Sequence, residues 1–161
     1  MKRLWMLAAA AAIGLAQDAV WDAPEMRIYV AYREATKAGA AEVVTVQQAA
    51  KGTRTVHLDA ASVYCSVDCV VSVERNGTAA TGTALTRTPV NTATAATATA
   101  WHTSNAGTGT VLAKYLVTAG TDKKIGLRGV VLRQTAPGEN VTIRTASITG
   151  DVRIVVRWGE R

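Results

Sequence analysis

The sequence predicts an all-β protein: an antiparallel two-sheet sandwich with jelly-roll-like character. Three observations predict it. The 161 residues include no Phe and are only 19% charged, and Thr, Ala and Val are abundant, which suits pleated, half-buried surfaces better than helices. Runs in which apolar and polar residues alternate recur from Arg27 to Trp158, the period of a strand with one buried face. Clusters of Gly, Asn, Asp, Ser and Thr separate those runs, as turns would. The length fits one domain able to bury a sizeable core without cross-links.

The first 24 residues stand apart. Lys2 and Arg3 precede an apolar run over residues 4–16, with Gly14 and Ala16 spaced like a signal-peptidase site. Two readings stay open. One is an export signal removed near residue 16; the other is an alanine-rich helix or arm whose Leu4, Trp5 and Leu7 pack on a neighbouring subunit. A stable membrane span is disfavoured, since it needs roughly 20 apolar residues. Residues 25–161 then make the sandwich.

After Pro24, MRIYVAYR sets Ile28, Val30 and Tyr32 on one side of a first strand and Arg27 and Arg33 on the other. Val43, Val44 and Val46, bounded by Gly39 and Gly52, read as a second strand, although the preceding alanines would also allow a short helix. In TRTVHLDA, Val56 and Leu58 oppose Thr55, His57 and Asp59. Asn76-Gly77 between two β-prone runs predicts a type I′ hairpin that folds VVSVER back on TAATGTAL. The Thr/Ala alternation over residues 92–100 slips at Ala95 and Ala96, which predicts a Thr-faced edge strand with a bulge. Residues 102–109 read as an exposed loop. Four runs follow, TVLAKYLVTAG, KIGLRGVVLRQ, ENVTIRTAS and DVRIVVRW, separated by AGTDK, TAPG and ITGD. In the last, Val152, Ile154, Val156 and Trp158 share one face and Arg153 and Arg157 the other. The total is some eight to ten strands.

The two cysteines, Cys65 and Cys69, lie in VYCSVDCVVSVERNG. Val63, Cys65, Val67, Cys69, Val71 and Val73 all fall at odd positions, so one continuous strand would put both thiols on the valine face. Residues four apart in such a strand sit roughly 13 Å apart, too far for a disulfide, which needs Cα atoms within about 7 Å. Two core thiols is the reading that periodicity favours. A tight turn over Ser66, Val67 and Asp68 would instead bring the pair together as a disulfide. A metal clamp is weakest, because Cys-x3-Cys without a second ligand pair is a poor signal.

A net charge of +6 would favour nucleic acid or anionic surfaces if the cations were clustered. They are dispersed, although Arg128, Arg133, Arg144, Arg153 and Arg157 could align as a stripe on one sheet face, and Arg153 and Arg157 are candidate interface residues. Nucleic-acid binding is not expected, since few aromatics interleave with them for stacking. His57 and Asp59, two apart on one strand face, have no third ligand at a metal-site spacing. His102 beside Ser104 lacks an orienting carboxylate in the sequence. The glycines of AGTGT lack the Lys-Ser or Lys-Thr ending of a phosphate loop. No catalytic residues and no cofactor or metal are therefore expected. Trp101, His102 and Asn105 are the candidate ligand contacts, with Trp101 as a stacking platform.

From ERNGTAATGTAL through GTVLAKYLVTAG and KIGLRGVVL to GENVTIRTASITGDVRIVVRWGE, the texture of strands and turns over about residues 40–161 resembles the small β-sandwich structural proteins of bacteriophage and prophage gene sets. The resemblance implies a non-enzymatic virion component, a capsid decoration or tail-associated subunit. It would be a homo-oligomer, commonly a trimer, in contact with other virion proteins. The other expectation is an exported binding module, an adhesin or glycan-binding domain, secreted or periplasmic if residues 1–16 are a signal peptide.

Overall fold

The computed structural model describes residues 26–49, 54–76, 82–103, 108–134 and 138–161. Among these residues there are twelve strands and no helix, in two antiparallel six-stranded sheets. The first sheet runs β10 (Val131–Leu132), β3 (Val56–Cys65), β12 (Ile148–Glu160), β1 (Arg27–Ala40), β6 (Arg87–Pro89), with β9 (Asp122–Gly126) also paired to β3. The second runs β5 (Thr83–Ala84), β7 (Thr99–Thr103), β2 (Val43–Gln47), β11 (Asn140–Thr145), β4 (Cys69–Arg75), β8 (Thr110–Val117). The sandwich read from the alternation is thus the architecture. Leu4, Trp5 and Leu7, and the arm or signal assigned to residues 1–24, lie outside the described residues.

The core fills the space between the sheets. Trp158, Tyr29, Leu58, Ile125, Leu132, Ile143 and Ile154 are among its largest fully buried side chains. Val152, Ile154, Val156 and Trp158 share the inward face of β12 as expected. In β1 the expected face is reversed: Tyr29 and Ala31 are buried, whereas Tyr32 is exposed and its hydroxyl donates to Glu34. Register decides this. Tyr29 stands directly opposite Trp158, direct partners in a ladder share a face, and the two rings stack with centroids 5.9 Å apart.

A register shift in β3 likewise corrects the grouping of His57 with Asp59. Leu58 pairs with Trp158 and Ala60 with Arg157, leaving Asp59 as an extra residue. That bulge moves the inward face from Val56 and Leu58 to Ala61, Val63 and Cys65.

The cysteines are a disulfide, not two core thiols. Strand β3 ends at Cys65 in one sheet and β4 begins at Cys69 in the other, so the ribbon is broken where continuity was expected. The corner over Ser66, Val67 and Asp68 brings the Cα atoms to 6.4 Å. Both cysteines are buried, and Val67, expected on the core face, is exposed in the turn. The corner also presses on β12: Asp151 N donates to Ser66 Oγ (2.7 Å) and Ser66 N to Asp151 O (2.9 Å). A Cβ at Gly150 would stand 2.4 Å from Ser66 Oγ, so only glycine fits there.

Three further expectations are corrected. Asn76 has the positive φ expected of it (55°), but among the described residues β4 forms no hairpin with the strand that follows it. Strand β4 pairs with β11 and β8, while β5 pairs with β7 across the same sheet. Residues 92–100 do not form an edge strand: only Thr99 onward is extended, and β7 is interior, between β5 and β2. The supposed turn ITGD lies inside β12, which continues β1 pairing back to Ile148. The count exceeds the expected eight to ten because β5, β6 and β10 are pieces of only two or three residues.

Candidate functional site

Strand β1 outruns the core. Beyond Ala31 its inward parity carries Arg33 and then Lys37, four residues on, where apolar side chains would otherwise stand. The chain then crosses to the second sheet through Glu42, which is wholly buried. Its backbone is fixed there, Glu42 N donating to Thr145 Oγ1 and Thr145 N to Glu42 O, each at 2.9 Å. On β7, His102 follows the buried Ala98 and Ala100 on the same parity. These elements converge on one carboxylate. Lys37 Nζ is 2.9 Å from Glu42 Oε2, Arg33 Nε is 3.3 Å from Oε1, and His102 Nδ1 is 3.2 Å from Oε1.

The cluster is a polar mouth between the sheets. A buried carboxylate survives only when paired, and Glu42 has three nitrogen partners. Burial, then the Arg33 charge, pushes the His102 pKa below its ordinary value, against the opposing pull of Glu42. The imidazole is therefore neutral at pH 7, with Nδ1–H donating to Glu42 and Nε2 left as an acceptor. Arg33 remains 29% exposed, so its charge reaches solvent. Beside the mouth, β6 pairs with β1 only at Tyr29, Val30 and Ala31. Among the described residues no strand flanks residues 32–38 on that side.

The residues read from the sequence fall unevenly around it. His102 is in the mouth. Trp101 is the next residue on β7 and projects to the opposite face, where it is partly buried against Gly82. A Cβ on Gly82 would meet Trp101 Cδ1 at 2.7 Å and His102 O at 2.3 Å. His102 is in a strand, with Trp101 before it, not in the exposed loop expected from residue 102 onward. Asn105 and Ser104 lie outside the described residues.

The arginines do not align as a stripe. Arg153 grips Asp122 through Nη2 (2.9 and 2.8 Å) and lies over the Tyr64 ring. Arg157 and Arg128 both reach the carboxylate of the bulge residue Asp59, at 3.3 and 3.1 Å. Arg144 is in the other sheet, on Glu74 at 3.0 Å.

Sequence reasoning missed Glu42, Arg33 and Lys37. The available signal was a strand that keeps its period while replacing apolar residues by cations. It also missed Glu160, whose buried carboxylate accepts from Thr97 N and Oγ1, Ala98 N and Trp158 Nε1. Those bonds fasten the irregular Thr-rich segment to the end of β12. For Glu74, burial alone would raise the pKa, but hydrogen bonds from Ser72, Arg144 and Gly109 outweigh it and hold the carboxyl below its ordinary value.

These features define a class: an all-β sandwich, cross-linked between its sheets, with an ionic mouth at one end. Compared with protein-family models, curated proteins and solved structures, the chain matches none of them. No helix among the described residues is long and apolar enough to cross a membrane.

Proposed function

We propose that the protein is an exported β-sandwich module that works by contact, binding copies of itself and a partner surface rather than transforming a substrate. The observation that carries this reading is the buried Cys65–Cys69 disulfide joining the two sheets. Structural disulfides belong to oxidising compartments and are rare in the cytoplasm. Of the two expectations drawn from the sequence, that favours the exported module over a virion subunit assembled inside the cell. The composition of residues 1–16, basic and then apolar, points the same way. Contact rather than catalysis is supported by how the buried acids are used. Glu42, Glu74, Glu160 and Asp59 are each engaged by neighbours that hold the fold together.

The test is intact-mass measurement on protein from fractionated producing cells, with alkylation before any reductant. The expected result is an unlabelled protein outside the cytoplasm that lacks about its first 16 residues. A full-length cytoplasmic protein with both thiols labelled would overturn the reading and restore the virion subunit.

A further inference from the structure

We infer that the free edge of β8 takes an added strand from a partner protein, an extended segment that sets an acidic residue opposite Lys114 and an apolar one opposite Leu116. The inference rests on the contact-acting reading above and names the partner's chemistry. Among the described residues β8 is the last strand of its sheet and pairs only with β4. An unpaired strand of that length is a template for strand addition.

Of the seven large apolar side chains exposed among the described residues, four lie on this strand pair: Leu116 is 65% exposed, Val111 and Leu112 46%, and Val70 45%. Val70 stands directly opposite Leu116, so the two share the outer face of the sheet. An exposed apolar patch rimmed by polar residues marks a contact surface. The other edges offer less. Strands β5 and β10 have two residues each, β6 has three and contains Pro89, and β9 carries Lys123 and Lys124 in succession. Along the open stretch of β1 the inward cations Arg33 and Lys37 are engaged by Glu42.

The ladder fixes which backbone groups are vacant. Ala146 N donates to Val70 O (2.7 Å), so Val70 turns its backbone groups toward β11. Its partner Leu116 therefore turns its N–H and C=O away from β4, and Lys114, two residues back, does the same. Nearer the start of β8 the ladder is interrupted: Val73 pairs with Ala113 and Glu74 with Val111, leaving Leu112 as an extra residue. An added strand hydrogen-bonds at Lys114 and Leu116, and its residues opposite them share their outer face. An antiparallel partner then reads apolar-x-acid toward its C-terminus.

Lys114 selects the occupant. It is exposed and has no ion-pair partner among the described residues. Glu74, on the same outer face, is taken by Arg144, Ser72 and Gly109. Across the following turn Lys123 and Lys124 are exposed, while Asp68 accepts from Ala119 N and Asp122 is held by Arg153. The rim is cationic, and a neutral strand would leave the Lys114 ammonium beside apolar side chains without a counter-charge. A second copy supplies none. The two-fold registers that engage the vacant groups put Lys114 opposite its counterpart or opposite a leucine, and each copy carries a net charge of +6. An acidic residue there satisfies the ammonium, and the long-range attraction has the right sign.

The test uses the oxidised full chain and two end-blocked, fluorescently labelled peptides, Thr-Val-Thr-Glu-Thr-Val-Thr and the same peptide with Lys in place of Glu. Anisotropy titration should show the Glu peptide binding about tenfold or more tighter than the Lys peptide. Lys114→Glu should reverse that preference and Leu116→Ser should weaken the Glu peptide severalfold, both with unchanged circular dichroism. N-methylation at the peptide's Glu, whose N–H faces the edge, should abolish binding, whereas methylation at the next Thr, whose N–H faces away, should leave most of it. Binding of neither peptide, equal binding of both, or variants without effect overturns the inference, the first meaning that Lys114 only blunts the edge. Light scattering that shows an oligomer dissolved by Leu116→Ser overturns it too and gives the edge to a second copy. In any of these cases a protein found outside the cytoplasm with its disulfide intact leaves the proposed function standing, and a reduced cytoplasmic protein ends that reading whatever the peptides do.

Discussion

Replacing Glu160 by Gln should destabilise the protein by about 2–3 kcal/mol, and the size follows from the geometry of the carboxylate. Oxygen Oε2 accepts from Thr97 N at 2.8 Å and Thr97 Oγ1 at 2.7 Å; Oε1 accepts from Ala98 N at 2.9 Å and Trp158 Nε1 at 3.1 Å. A Gln amide keeps one acceptor oxygen. Placed at the Oε1 position it still serves Ala98 and Trp158, and the Thr97 hydroxyl can turn to accept from the new NH2. The Thr97 N–H then meets another donor at 2.8 Å and keeps only its longer bond to Oε1 (3.1 Å), and the surviving bonds lose the strength that the charge lent them, about half of each. Glu160→Ala should cost more, about 4 kcal/mol, because all four donors lose their acceptor. Urea unfolding would show a midpoint lowered by roughly 1–1.5 M for Gln at a typical slope, and hydrogen exchange should speed at Thr97 and Ala98. A Gln variant within about 0.5 kcal/mol of the parent would refute the idea that this carboxylate fastens the segment.

Cys65→Ser/Cys69→Ser should lose about 2 kcal/mol, the loop-closure value for so short a ring, read as a fall in melting temperature of about 5–8 °C; no change would mean that the corner forms without its cross-link. Stability should decline as pH falls, in two stages. His57 and His102 have pKa values lowered chiefly by burial, so the unfolded chain takes up their protons first, and stability begins to drop as pH passes below about 6.5. Glu74 and Glu139 are held below the ordinary carboxylate range by hydrogen bonds that outweigh burial. Their contribution is complete above about pH 4.5 and is lost on further acidification. Urea titrations at several pH values would show this, and a stability that rises between pH 7 and pH 5 would contradict it.

The sheet architecture was legible because burial on one face leaves a period of two, most clearly in Val152, Ile154, Val156 and Trp158. Face assignment failed in β1, where Ile28, Val30 and Tyr32 looked the better core set and pairing with Trp158 chose Tyr29 and Ala31 instead. A one-residue choice of register inverts a strand, and nothing local records it. The corner at Cys65 failed for a related reason. Odd positions stay apolar on both sides of the turn because both β3 and β4 face the same core from opposite sheets, so alternation continued through a break. The turn former Asn76 was recognised, but its partner strand depends on contacts distant in sequence, with β11 and β8. Of the candidate site, His102 was visible as one of only two histidines. Its carboxylate partner was hidden, since Glu42 is some sixty residues away in the chain and sits among alanines and valines.

The thirteen Cα partnerships between β1 and β12 join the earliest and latest strands of the sandwich. Closing so large a loop must precede any gain from that ladder, which makes such topologies slow to fold. During synthesis the central seam of one sheet stays unzipped until the stretch from Ile148 to Glu160 has left the ribosome. A chain that cannot complete itself early remains threadable for longer, which is the state that the proposed export would require.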